Sequence, residues 1–179
     1  MKYILFDERK TYNASISALL SDFGYVEALK DKYISVLGRE PSSREFLSVD
    51  VGSTNDDMYL GIGWYNSENE YRWAGKRASV IFKVANIRDF NLVFTTEGFH
   101  AEQKMKRYMN ENNIAEIRTP LKRKTFILPV NRKFMKKGIN TIHFISDYAY
   151  KPSKVVQGSA DARELSKKFY IISLEDSLP

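Results

Sequence analysis

The chain has 179 residues, with 28 Lys and Arg against 22 Asp and Glu and a formal net charge of +6. That length fits one domain, or one domain with a small appendage, and can bury roughly 70 % of the surface its unfolded chain exposes. The absence of cysteine excludes disulfides and cysteine-ligated zinc, and it points to a reducing compartment. No apolar run approaches the ~18 residues that span a bilayer, and MKYILFDERK lacks a signal-like core; a soluble, cytoplasmic protein is expected.

In chain order, residues 12–37 read as helical. Ile16, Leu19, Leu20, Phe23, Val26, Leu29, Tyr33, Ile34 and Leu37 recur at spacings of three and four, the mark of an apolar helix face. Gly24 divides the run, Gly38 and Pro41 stop it, and Ser42 with Glu45 forms a capping box for one further turn. A change of pattern near residue 46 separates an N-terminal helical segment, 1–46, from a β domain, 47–179.

Beyond that point short runs of β-branched and aromatic residues alternate with Gly, Asn, Asp and Pro. Strands are expected at Leu47–Val51, Met58–Gly61, Tyr71–Ala74, Ala78–Val84, Asn91–Thr96, Lys104–Met109, Ile114–Arg118, Thr125–Pro129, Asn140–Ser146 and Lys168–Leu174. Val80, Phe82 and Val84 share one face, as do Leu92 with Phe94 and Ile142 with Phe144, which leaves His143 on the solvent side. Asn110 to Asn113 reads as a hairpin turn. Many short strands without a βαβ rhythm define a mainly β chain, an antiparallel β-sandwich of jelly-roll-like form with a short N-terminal helical segment.

One segment concentrates the chemistry. Trp64, Tyr65, Glu68, Glu70, Arg72 and Trp73 can recognise a sugar, aromatic faces meeting C–H bonds while carboxylate and guanidinium groups read pairs of hydroxyls. The same residues can instead be architecture: indoles in the core and Arg72 paired internally with a glutamate, because a lone buried charge is too costly. Asp161 and Arg163, two apart before the last strand, can form a rigid fork or clamp Arg72 or Glu68. The loop Ser53–Asp57 holds enough oxygens to raise calcium at Asp56 and Asp57, but it lacks EF-hand spacing and turn chemistry explains it; no cofactor is expected.

Other chemistries find less support. There is no HExxH, P-loop or GxSxG, and Gly61-Ile-Gly63 lacks the third glycine of a dinucleotide loop. Glu68, Glu70, Glu97 and Asp161 could supply the two carboxylates of a glycosidase. Lys122–Lys124, Arg132–Lys133 and Lys136–Lys137 fall at expected turns and read as solvated loop tips, so nucleic acid is not expected as a partner.

Gly63-Trp-Tyr65 with Glu68, Arg72-Trp73, Asn110, Leu128-Pro129, Gly138-Ile-Asn140 and Asp161-Ala-Arg-Glu-Leu165 occur in an order that resembles a β-sandwich domain of bacterial and archaeal surface-polysaccharide glycosyltransferases. Tyr33-Ile-Ser-Val-Leu-Gly-Arg-Glu-Pro41 is similar to the helix end Tyr-x-x-Leu-Leu-Gly-Arg-Glu-Pro of small phycobilisome-linker-like modules, with Val36 replacing the first of the paired leucines. The resemblance implies a non-catalytic carbohydrate-binding module acting in glycan assembly, associated with a glycosyltransferase and, through it, with the inner face of the membrane. Trp64, Tyr65, Glu68, Arg72, Trp73, Asp161 and Arg163 are then the carbohydrate-binding candidates. A docking domain without a sugar ligand and a carboxylate-pair enzyme are the alternatives.

Overall fold

A computed structural model describes residues 3–7, 25–30, 34–39, 45–54 and 56–177. The chain divides into two units, Met1–Phe46 and Leu47–Pro179. In the first, β1 (Tyr3–Asp7), β2 (Tyr25–Lys30) and β3 (Ile34–Arg39) form an antiparallel sheet in the order β1-β3-β2. The expected helix is therefore strand at Tyr25–Lys30 and from Ile34 to Leu37, and Ile34–Arg39 of the supposed helix end is the central strand of this sheet. Apolar residues three and four apart do not separate the two templates over so short a run. Here β3 finds backbone partners on both edges, Leu37 facing Ile4 and Gly38 facing Val26, and the β-branched Ile34 and Val36 suit an extended chain. The rest of the expected helix and Ser42 of the capping box lie outside the described residues.

The second unit is mainly β and built from two antiparallel sheets. The four-stranded sheet runs β10 (Asn112–Thr119), β9 (Gln103–Met109), β12 (Gly138–Ser146), β7 (Arg77–Val84). The six-stranded sheet runs β11 (Lys124–Val130), β8 (Phe90–Gly98), β13 (Lys167–Asp176), β6 (Arg72–Ala74), β5 (Trp64–Ser67), and β4 (Ser48–Asp50) pairs with the later part of β13. One edge of β13 is thus shared, by β6 at Lys167–Phe169 and by β4 at Ile171–Ser173.

Alternation decides what goes inside. Val80, Phe82, Val84, Leu92, Phe94, Ile142 and Phe144 are buried on the inner faces, and His143 between two of them is half-buried. Phe144 of one sheet meets Phe94 and Phe169 of the other at 5.4 and 4.8 Å between ring centres, which locks the sheets face to face. The β9–β10 hairpin turns at Asn110, whose φ of 55° is a left-handed value that Asn tolerates.

Three local features differ from the sequence reading. Met58–Gly61 is not a strand: Asp56–Met58 is a 3₁₀ turn and only Leu60 bridges, to Val80. Trp64–Ser67 is a strand, and Pro152–Val155 forms a single helical turn, α1. Gly63 opens β5 because the backbone of β7 comes too near for any side chain: a Cβ there would lie 1.7 Å from the Arg77 carbonyl oxygen, at a φ of 86°.

A bulge between Phe169 and Ile171 shifts the register of β13 against β8. Phe169 and Ile172 stay in the core, while Tyr170 and Ile171 both turn outward to line one cleft. No helix among the described residues is long and apolar enough to cross a membrane.

Candidate functional site

The β5–β6 hairpin, with Asn69 at its tip in a left-handed φ of 62°, is held from below by a charged pair. Arg72 donates from Nε to Asp56 Oδ2 at 2.8 Å and from Nη2 to Asp56 Oδ1 at 2.6 Å, and its Nη1 donates to the Tyr65 carbonyl at 3.1 Å. The Asp56 side chain is fully buried and also accepts the Gly52 N–H at 2.6 Å. Arg72 is therefore paired internally, with an aspartate of the oxygen-rich loop rather than with a glutamate, and Asp56 raises its affinity for its proton still further. Both carboxylate oxygens of Asp56 are engaged by protein donors. Among the described residues no cluster of three or more His, Asp or Glu is arranged to hold a metal ion.

The tryptophans are held differently. Trp64 donates its indole N–H to the Ser79 carbonyl at 2.8 Å and packs edge-on against Phe169, 5.3 Å between centres; it is half-buried at the margin of the core. Trp73 is 8 % exposed. It faces the outer side of the six-stranded sheet, in one row with Lys168 and Glu97, and is flanked edge-on by Tyr71 and Phe99.

Arg163 ties a distant loop to the hairpin. It donates from Nε and Nη2 to Asp161, and from Nη1 to Glu68 Oε1 at 2.7 Å. The backbone N–H of Arg163 also donates to Asp161, so the fork and the clamp weighed as alternatives in the sequence occur together. Beside it the Tyr65 hydroxyl donates to the Glu164 carbonyl and accepts its N–H. Burial would push the Glu68 carboxyl up, but hydrogen bonds from Arg163 and Tyr71 outweigh it and hold the group below its ordinary range. Arg163 does the same to Asp161. A general acid needs the opposite shift. Because this network is about one-third exposed, Arg163→Ala is expected to cost only about 1 kcal/mol. It should nevertheless make residues 156–166 sensitive to limited proteolysis; unchanged cleavage would mean that the network does not hold the loop.

The outer face of the six-stranded sheet joins Glu97, a candidate carboxylate in the sequence, to Lys168, Tyr170 and Arg123, which no sequence motif marked. Glu97 accepts from Lys168 Nζ at 3.0 Å and from the Tyr170 hydroxyl at 2.9 Å. Burial, then that carboxylate, pushes the Tyr170 phenol up to about 12. Lys168 Nζ lies 4.9 and 5.1 Å from the ring centres of Tyr71 and Trp73, and the Arg123 guanidinium lies 3.7 Å over the ring of Tyr170. Next to it opens a cleft of about 420 Å³, lined by Asp50, Ser53, Asn69, Glu70, Arg123 and Tyr170 among others. The hairpin tip forms one wall, the β10–β11 loop another, and the bulge of β13 the floor.

Of the residues singled out in sequence, Tyr65, Glu68, Asp161 and Arg163 meet in one partly exposed network. Trp64 and Arg72 serve the hairpin's foundation, and Trp73 sits beneath Lys168. The cleft itself draws on Glu70 and Ser53, both also singled out in sequence, together with Asp50, Arg123 and Tyr170. Arg123 belongs to the basic run read as a loop tip, and nothing in the sequence shows that a bulge turns Tyr170 toward it.

No family model matches the chain, and no curated protein matches it in sequence. Among solved structures it is similar to a family 35 carbohydrate binding module from an environmental isolate, at 14 % identity and a TM-score of 0.41 over 74 % of this chain and 87 % of that one. It is also similar to the C-terminal CBM6 of LamC, a marine laminarinase from Zobellia galactanivorans, at 10 % identity and a TM-score of 0.43 over 73 % of this chain and 98 % of that one. The Podospora anserina GH26-CBM35 β-(1,4)-mannanase gives 14 % identity and a TM-score of 0.43, with 75 % of this chain matching 26 % of that enzyme. At such identities and scores the likenesses are shallow and do not say what this chain binds.

Proposed function

We propose that the β-sandwich unit is a non-catalytic carbohydrate-binding module whose site is the cleft at Tyr170. The observation that carries this reading is the cleft's lining: two exposed carboxylates (Asp50, Glu70), an amide (Asn69), a hydroxyl (Ser53) and a guanidinium resting on an aromatic ring. A polyhydroxylated ligand needs such a set, with acceptors and donors converging beside an apolar surface. Arg123 has no carboxylate partner among the described residues, so its N–H groups remain for hydroxyls. Tyr65, Glu68, Asp161 and Arg163 position the hairpin and its flanking loop, and Arg72 and Trp64 anchor it from inside. The order of motifs supports the finer reading, a module serving surface-polysaccharide assembly beside a cytoplasmic glycosyltransferase.

Arg123→Ala and Glu70→Gln are expected to weaken glycan binding by about tenfold or more without moving the melting temperature, since both side chains are exposed. A glycan array followed by calorimetry on any hit reads this directly. Variants that bind as the parent does would remove the cleft from the site, and an array without hits would remove the glycan reading. The second reading, a docking domain without a sugar, is favoured by the one feature that fits sugar stacking least: neither indole is free, one being hydrogen-bonded to the backbone and the other 8 % exposed. Binding of a glycosyltransferase by a chain that ignores every glycan would support it.

A further inference from the structure

We infer that the ligand is an extended glycan chain that leaves the Tyr170 cleft, crosses the outer face of the six-stranded sheet and makes a second contact on Tyr148 and Tyr150; this rests on the glycan reading above.

Ring contacts run unbroken between the two places. From the cleft, Tyr170 meets Tyr71 at 5.7 Å, Tyr71 meets Trp73 at 6.1 Å, and Trp73 meets Phe99 at 5.4 Å. The series continues from Phe99 to His100 at 6.3 Å, from His100 to Tyr150 at 4.9 Å, and from Tyr150 to Tyr148 at 6.2 Å. Hydrogen-bonding groups accompany it: Lys168 and Glu97 lie beside Trp73, and Arg123 lies on Tyr170. Tyr170 and Trp73 are each 8 % exposed, so the row offers ring edges beside charged donors and acceptors; these suit the hydroxylated rims of a chain of sugars better than one ring confined to the cleft, and face stacking falls to Tyr148 at the far end.

The far end is built to present its rings. Tyr148 is 59 % exposed, yet its backbone N–H donates to the side chain of Gln103 at 3.0 Å, and Gln103 is itself buried. Tyr150 and Leu165 exchange both backbone hydrogen bonds, at 2.8 and 2.9 Å. His100 stands at a φ of 65° in a turn closed by Ala101 N–H to the Phe99 carbonyl. That left-handed value is uncommon for a residue with a side chain, and it sets the imidazole edge-on against Tyr150. A single exposed tyrosine is ordinary. Adjacent flat rings on an anchored backbone, continuous with the cleft, are a preorganised surface.

The test is calorimetry of the whole chain with cello-, manno- and laminari-oligosaccharides from disaccharide to hexasaccharide, for the parent and Tyr148→Ala. The expected result is affinity that rises about tenfold or more with length in at least one ladder, and a Tyr148→Ala variant that loses the gain while keeping the disaccharide affinity and the melting temperature. Length-independent binding, or a length gain untouched by Tyr148→Ala, overturns the extended-chain inference and leaves the cleft as a site for a short sugar. Binding to none of the three ladders overturns the inference for chains of this class, and the array described above then decides the glycan reading separately.

Discussion

Asp56→Ala is expected to destabilise the sandwich unit by about 3–5 kcal/mol, the range for removing one partner of a buried ion pair. The carboxylate is fully buried, takes two hydrogen bonds from Arg72 and closes the Gly52 turn. Its loss leaves a guanidinium that is only 15 % exposed, with its two strongest hydrogen bonds gone and only the Nη1 bond to the Tyr65 carbonyl left of those described. Arg72→Ala is expected to cost about as much, and the double variant less than the sum of the two, because the second removal leaves no orphan charge. Urea unfolding of the three variants measures the cycle. Strict additivity, or a loss under about 1 kcal/mol for Asp56→Ala, would show that the pair does not hold the hairpin. The cleft gives a second readout, since a loosened hairpin moves Asn69 and Glu70.

The second large effect concerns charge placed inside the sandwich. Lys167 and Arg107 are both fully buried. Among the described residues Lys167 Nζ has no hydrogen-bond partner, and neither have Nε and Nη2 of Arg107; Arg107 Nη1 reaches the Met105 carbonyl at 3.1 Å. Burial, offset in part by the charge of Asp147, draws the Lys167 ammonium from an ordinary 10.5 down to about 7. Between those values the unfolded chain carries a proton that the folded chain has released, so stability rises with pH across that window. Below about pH 7 both states are protonated, and the folded state bears the whole cost of a buried ammonium. Lys167→Met is therefore expected to raise stability by a few kcal/mol at pH 6 and to flatten the rise between pH 7 and 10. Urea midpoints of parent and variant over that range decide it: parallel profiles would mean that the ammonium finds a partner in solution.

The sandwich could be read in sequence because its signal is local. Val80, Phe82 and Val84, or Ile142 and Phe144, alternate within one strand, and Asn110 announces its turn by residue type. The N-terminal sheet could not, because the same apolar spacing serves a helix until a partner strand decides. The site was legible in half. The Trp64–Trp73 segment does form a distinctive hairpin, but Arg72 finds its partner sixteen positions upstream, in a loop whose oxygens look equally suited to a turn or a cation. The cleft draws its walls from separate loops and its floor from a bulge, and none of these leaves a periodic trace. Arg107 and Lys167 were hidden for another reason: β9 and β13 carry charges on both parities, so alternation alone cannot say which lysine or arginine faces the core.

The position of β13 bears on how the protein is made. This last strand is interior to its sheet, hydrogen-bonded to β8 along one edge and to β6 and β4 along the other. While the ribosome is still translating it, β8 has a bare edge and the hairpin has no neighbour to join, so the nascent domain holds open strands that invite pairing with other chains. Completion must come late and nearly at once, when residues 167–176 slide between partners already waiting. A chain cut short before residue 167 is expected to emerge with its six-stranded sheet divided into the β11-β8 and β6-β5 pairs and β4 unpaired, and to depend on chaperones for its solubility.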